Sequence, residues 1–312
     1  MSGSHFIIAP MAGIILFCNS CANHNKSPFV FKETDEGIEL SENGRPVCFY
    51  RRSPSEVPGT GIYNNYLHPV YNLQGEVITD EFPSDHLNHR GIFWAWHQVF
   101  INDQSIGDGW MMENLSQEVI KAETNANNKV AVLNINVLWK SSLWQNGTAF
   151  IEEHTSVTVY KCEKNLRKID FDITLIPLTS GVQIGGSNDE KGYGGFCTRI
   201  KMPDDLTFTS EKGPVIPQNL QILSGPWMDF CWTSQVSGEK NGLAILGHPS
   251  NPNFPAPWIL RQKSSMQNIV FPGRERIRLE KPIVLKYRVI IHGGDAKSAD
   301  IPELQKEYNL VL

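Results

Sequence analysis

Several things are scarce in this chain of 312 residues, and each scarcity removes a class of function. No run of clustered Lys and Arg is present, and the formal net charge is -5. A duplex-binding face needs grouped cations to displace counterions from phosphates, so nucleic acid is not an expected partner. The densest basic stretch, Arg274-Glu275-Arg276-Ile277-Arg278, alternates and reads as the wet face of a strand. After Phe17 no apolar run approaches the roughly 18 residues of a membrane-spanning helix. No CxxC remains after Cys21, which removes the usual zinc-knuckle spacing. The glycine-rich stretch Gly185–Gly195 lacks GxxxxGK[ST] and opens no helical pattern, so it reads as a mobile loop and not as a phosphate cradle. Helical periodicity is itself rare, which disfavours a parallel βαβ sheet with its helix-length crossovers. No repeat of fixed period is visible.

What is present is strand after strand. Ile38 and Leu40 alternate with polar residues, Asn43-Gly44 offers a turn with positive φ, and Val47 to Tyr50 returns as the second arm of a hairpin. Ala131, Leu133, Ile135, Val137 and Trp139 share one face, with Asn134, Asn136 and Lys140 on the other. Asn146-Gly147 then turns the chain into Thr155, Val157 and Val159, and a third strand carries Ile169, Phe171, Ile173 and Leu175. One dry and one wet face mark an antiparallel meander. Asn241-Gly242 reads as another turn before Leu243 to Leu246, and Ile283 to Ile291 as a late strand. The one helix expected is C-terminal, from Leu304 to Tyr308, with Asp300 and Glu303 at capping-box spacing. The expectation is an all-β, large antiparallel β-sandwich with a short C-terminal helix. Hydrophobic residues at 40% and charged residues at 20% supply a core of that size.

Residues 1–26 read as a leader. Phe6 to Phe17 is apolar for about twelve residues, a signal-peptide length and not a membrane span. Ser20-Cys21 resembles a lipoprotein cleavage site, so the chain is expected to be exported, as a periplasmic or outer-membrane lipoprotein that meets the membrane only through an N-terminal lipid. Residues 27–312 then form a single β-sandwich domain. Cys48, Cys162, Cys197 and Cys231 remain; their pairing is left open, with buried free thiols the plain reading.

Chemistry concentrates between residues 66 and 113. His68, Asp85, His86, His89, Arg90 and His97 lie there among Trp94, Trp96 and Trp110, and four of the nine histidines fall in this span. If Gly91 to Phe100 is one strand, His97 shares a face with Phe93 and Ala95, opposite Trp94 and Trp96, while the loop before it carries His86 and His89. Imidazoles converging in this way suit proton transfer at neutral pH, because their unperturbed pKa is about 6.5. They also suit a divalent metal, for which His86, His89 and His97 are the ligands to consider and Asp85 a fourth ligand or supporting partner. No cofactor is otherwise implied. Glu153 sits on an otherwise apolar face and is a reserve general base. His248, in Gly247-His248-Pro249-Ser250-Asn251, ends a strand where binding loops gather and is assigned to the same catalytic group. Asn251, Trp258, Arg261 and His292 complete a sugar-binding set with His68, Arg90, Trp94 and Trp96, since aromatic faces and fixed polar groups recognise carbohydrate.

These fragments also carry a resemblance. Tyr66-Leu67-His68-Pro69, Gly75-Glu76-Val77-Ile78-Thr79, Phe82-Pro83-Ser84-Asp85-His86, His89-Arg90-Gly91-Ile92-Phe93-Trp94-Ala95, Gly247-His248-Pro249-Ser250-Asn251 and Tyr287-Arg288-Val289 through His292 resemble the DUF6807 family. Its members, frequent in Bacteroidetes and Planctomycetes, are often labelled "methane oxygenase PmoA". A membrane-embedded monooxygenase subunit is incompatible with the missing spans. The resemblance implies a fold similar to galactose-mutarotase supersandwiches, a place near sugar oxidoreductases and isomerases, and a carbohydrate or glycan partner. The function expected is an exported carbohydrate-active protein, an epimerase, lyase or hydrolase using His/carboxylate acid–base chemistry. The alternatives are a non-catalytic glycan-binding module and a structural surface lipoprotein.

Overall fold

A computed structural model describes residues 27–311, together with Met1 and Gly3. The leader expected over residues 1–26 lies outside the described residues, apart from those two isolated positions.

Two large antiparallel sheets face one another. The first runs Phe29–Glu33, Gly37–Glu42, Arg45–Arg51, Tyr66–Val70, Ile92–Trp96, Gly194–Thr198, Gln267–Val270 and Trp258–Ile259. The second has nine strands, in the order Leu115–Ala126, Val130–Ser141, Ala149–Tyr160, Leu166–Pro177, Ile283–Gly293, Lys240–Gly247, Trp227–Thr233, Thr207–Ser210 and Gly213–Pro214. The apolar stripe read from Ala131 to Trp139 is buried throughout and meets the first sheet across the core. Trp139 packs on Trp96 at 5.8 Å between ring centres, and Phe171 on both Trp94 and Phe196. This is a sandwich-like all-β fold.

The turns follow backbone chemistry. Asn43 and Gly44 both hold positive φ, the requirement of the tight hairpin between Gly37–Glu42 and Arg45–Arg51. Asn241-Gly242 is not a turn. Both residues lie inside the strand Lys240–Gly247, where a Cβ on Gly242 would stand 2.7 Å from the His292 ring, so close packing and not chain reversal calls for glycine. The C-terminal helix spans Ile301–Asn309 and buries Ile301, Leu304 and Tyr308 on the outer face of the nine-stranded sheet. The capping box is absent: Asp300 is left-handed (φ 52°) and its side chain caps nothing. Its carbonyl instead takes the N–H groups of Glu303 and Leu304.

The strand Ile92–Trp96 is buried on both faces, which explains its unbroken aromatic and β-branched composition. Trp94 and Trp96 point into the inter-sheet core. Phe93 and Ala95 point outward, into a second cluster with Tyr63, Tyr66, Trp110, Met112, Cys197 and Met266. The strand does not continue to Phe100 as expected. It breaks at His97, and Gln98–Ile101 joins a separate four-stranded sheet with Val182–Gly185, Gln104–Gly107 and Ile277–Arg278. The site lies at this corner. Cys48, Cys162, Cys197 and Cys231 are free thiols, three of them buried.

Candidate functional site

The Asp-His-x-x-His-Arg-Gly segment is a clipped loop. Its base closes where Glu81 bridges Arg90 and the N–H of Phe82 donates to the carbonyl of His89. Within it, the His86 N–H donates to Pro83 O and the His89 N–H to His86 O, two successive tight turns. A three-residue spacing across such turns puts the two imidazoles on one side. Their rings stack at 4.4 Å with 7° between planes. Gly91 follows with φ +42°, and a Cβ there would overlap the Leu67 carbonyl at 1.9 Å; only glycine lets the loop press against its neighbouring strand.

Asp85 anchors the loop. Both its oxygens accept from Arg199, at 2.9 and 3.1 Å, and it also accepts from the Ser265 N–H at 3.0 Å. Arg199 donates as well to the Ser265 carbonyl. The same carboxylate lies 3.0 Å from His86 Nδ1. Burial alone would raise the Asp85 carboxyl; the Ser265 N–H, His86 and Arg199 outweigh it and hold the group well below the usual carboxylate range.

A second acid–imidazole pair stands at the strand break. His97 Nδ1 is 2.8 Å from Asp108 Oδ2, and the other Asp108 oxygen accepts the N–H groups of Trp110 and Met111. Asp108 is thereby fixed by its own turn. With Nδ1–H donated to Asp108, Nε2 is the basic nitrogen, and among the described residues it has no hydrogen-bond partner. The His97 ring stacks on Trp110 at 4.9 Å, and His89 meets the edge of Trp110 at 6.3 Å. His86, His89, Trp110 and His97 therefore form a continuous row of rings.

This row lines a pocket of about 360 Å³ whose other walls include Asn88, Met111, Lys191, Tyr193, Asn219, Arg261 and Ser265. His89 is 3% exposed, and its Nδ1 has no partner. Burial, with the nearby His86 and Arg199 charges, lowers its pKa to about 2, so this imidazole is neutral at physiological pH. The stretch Gly185–Gly195, expected as one loop, is loop only in its middle. Its ends are strand, and between them Asp189 accepts the N–H groups of Lys191 and Gly192, holding Lys191 and Tyr193 at the pocket wall.

Of the expected set, the pocket gathers His86, His89, His97 and Arg261, with Asp85 behind His86 and outside the lining. The others lie elsewhere. His248 is 5% exposed and saturated, with Ser250 Oγ at 2.7 Å on Nδ1 and the Val311 carbonyl at 2.8 Å on Nε2. His292 is sealed in the nine-stranded sheet against Asp229 at 2.8 Å. His68 Nδ1 bonds Thr79 Oγ1, and burial lowers its pKa. Arg90 is sandwiched between the Tyr63 and Phe93 rings at 4.7 and 4.3 Å, beneath the site and not in it. Trp94, Trp96 and Trp258 are inter-sheet core, and the indoles of Trp96 and Trp258 bond the Phe271 and Gly225 carbonyls. Asn251 makes a paired contact with the Lys286 backbone. Glu153 is fully buried in the core, accepting from Asn65, Thr155 and Trp139; burial pushes its carboxyl up.

The metal set also requires correction. Among the described residues no group of three or more His, Cys, Asp or Glu is arranged to hold a metal ion. Imidazole lone pairs lie in the ring plane, so the stacked His86 and His89 rings do not aim their nitrogens at one point. Trp110 and Asp108 belong to the segment flagged by composition, whereas Lys191, Tyr193, Asn219 and Arg199 carried no signal beyond their residue types.

A family described as "Family of unknown function (DUF6807)" matches residues 37–306. No curated protein matches the chain.

Proposed function

For a chain that belongs to the DUF6807 family, we propose an acid–base enzyme acting on carbohydrate, an epimerase, lyase or hydrolase, on a fold of the galactose-mutarotase-like kind. The observation that carries the reading is that two Asp–His pairs, Asp85–His86 and Asp108–His97, open on one pocket. In each pair the carboxylate holds Nδ1 and leaves Nε2 to give or take a proton, and each carboxylate is fixed by further donors. Proton transfer at a sugar needs two such groups, one as base and one as acid. Tyr193 and Met111 offer apolar contact for a ring's C–H face, while Asn88, Asn219 and Arg261 offer groups for hydroxyls.

The test is turnover of a panel of free sugars, glycosides and oligosaccharides by the wild-type chain, His97→Gln and the double change His86→Ala with His89→Ala. Activity lost in the variants while sugar binding persists supports an enzyme. If no sugar is turned over and the variants bind glycans as the wild type does, the chain is a glycan-binding module and the acid–base reading fails.

Export and lipid anchoring at Cys21 belong to the same proposal and rest on the apolar Phe6–Phe17 run. Fatty-acid labelling of cells expressing the chain, with Cys21→Ser as control, checks it: labelling that survives the substitution, or never appears, rules the anchor out.

A further inference from the structure

The pocket is unevenly charged. Lys191 and Arg261 line it, and no Asp or Glu side chain does. Arg261 donates to three main-chain carbonyls, of Gln218, Leu260 and Asn219, and its guanidinium lies 5.4 Å from the Tyr193 ring centre. It forms no ion pair among the described residues. Nor does Lys191, although Asp189, whose Oδ1 is occupied by Ser187 and the loop N–H groups, is near enough for the Lys191 charge to help lower its carboxyl. The third cation nearby, Arg199, is different, since Asp85 at 2.9 Å and Asp80 at 3.7 Å neutralise it. Two cations thus line the pocket outside any ion pair among the described residues, beside a base whose own carboxylate, Asp108, is already engaged.

We propose that the pocket takes a sugar acid, with Lys191 and Arg261 holding the substrate carboxylate and His97 removing the proton from the carbon next to it. This rests on the acid–base reading above and gives it a substrate class. A proton beside a carboxylate is weakly acidic because the enediolate left behind carries a second negative charge on the same two oxygens. Paired cations aimed at those oxygens stabilise that charge as it forms, which is where electrostatic catalysis acts most strongly. His97 Nε2 accepts the proton, and the C–H electron pair becomes a double bond to the carboxylate carbon. When the neighbouring carbon bears a leaving oxygen, that C–O bond then breaks with its electron pair, His86 gives a proton to the departing oxygen, and an unsaturated sugar acid remains. With no leaving group, His97 keeps the proton it removed, His86 gives one to the opposite face of the enediolate, and the carbon is epimerised. Neither course changes the overall oxidation level or needs a co-reactant.

The experiment incubates the full chain in deuterium oxide with glucuronic and galacturonic acid glycosides, their methyl esters, and the matching neutral glycosides. NMR follows deuterium at the carbon next to the carboxylate, and ultraviolet absorbance follows the unsaturated product. Exchange or elimination is expected with the acids and not with neutral sugars. Lys191→Met and Arg261→Met should each raise KM roughly tenfold or more, the loss of one charge-assisted hydrogen bond. The methyl esters should also react poorly, and this arm is independent of whether a variant folds. If neutral glycosides or esters react as fast as the acids, the carboxylate assignment is overturned while the acid–base reading stands. If no sugar of any class reacts, both fall.

Discussion

Two imidazole–carboxylate pairs in this molecule have the same 2.8 Å separation and opposite circumstances. His97–Asp108 stands at the pocket, with the two side chains 24% and 26% exposed. His292–Asp229 stands inside the nine-stranded sheet, with both at 0%. In the first, the second ring nitrogen is free and the second carboxylate oxygen is held by two main-chain N–H groups. In the second, the other ring nitrogen lies 3.3 Å from the Gly293 carbonyl and the spare Asp229 oxygen has no partner. Proximity of an acid to an imidazole therefore does not make a site. A free nitrogen that a substrate can reach does, and of these two pairs the one at the strand break has it.

The comparison breaks first on activity. His97→Gln is expected to lower kcat by roughly 10²–10⁴-fold with the fold retained, and Asp108→Asn, which favours the wrong tautomer, should act in the same direction. Steady-state kinetics beside circular dichroism checks this; equal activity in His97→Gln would make the two pairs alike. The mirror experiment is His292→Ala. It leaves Asp229 buried without its partner and should cost about 3–5 kcal/mol of stability, while activity per folded molecule is unchanged. Urea denaturation measures the first quantity and titration of folded protein the second.

A smaller effect sharpens the contrast at His89. Folded, it stays neutral down to about 2; unfolded, it takes up a proton near 6.5. Between those values the unfolded chain binds more protons, so stability is full above pH ~6.5 and falls as pH drops, by up to ~1.4 kcal/mol per unit. His89→Gln should flatten the dependence of the urea midpoint on pH between about 6.5 and 4.5; an unchanged slope would place the proton uptake elsewhere. The smallest effect is expected at a third pair, His154–Glu152, which is exposed on a strand face at 2.8 Å. His154→Ala should move stability by no more than ~0.5 kcal/mol and leave turnover alone.

The legible parts of the fold were those where periodicity met an interface. The Ala131–Trp139 stripe and the misplaced Glu153 could be read because alternation decides which face is dry, and the fully buried Glu153 shows that a polar residue on the dry face must find donors. The His86, His89 and His97 grouping was legible through local spacing. The partners were not. Lys191, Tyr193 and Asn219 come from loops brought to the corner by strand order, and nothing local marks that meeting; Arg261, expected from the sequence, joins them there. Tryptophan misled for a physical reason: Trp94, Trp96 and Trp258 have the chemistry of a sugar platform, but a sandwich this thick needs large rings to fill it. His248 misled because a strand end looks open until the Val311 carbonyl closes over it. The one retrievable signal was Asp108, two residues before Trp110, the spacing of a side chain that accepts its own turn's N–H groups.

The pocket wall is assembled from stretches near residues 86–97, 110, 191–193, 219 and 261–265, far apart along the sequence. No contiguous peptide contains it, and each contributor is placed by a different sheet edge or loop. Ligand binding here is accordingly a gauge of complete assembly: a proteolytic fragment carrying the histidines would keep their order in the chain and lose their rendezvous, and recovery of binding during refolding should lag behind recovery of strand content.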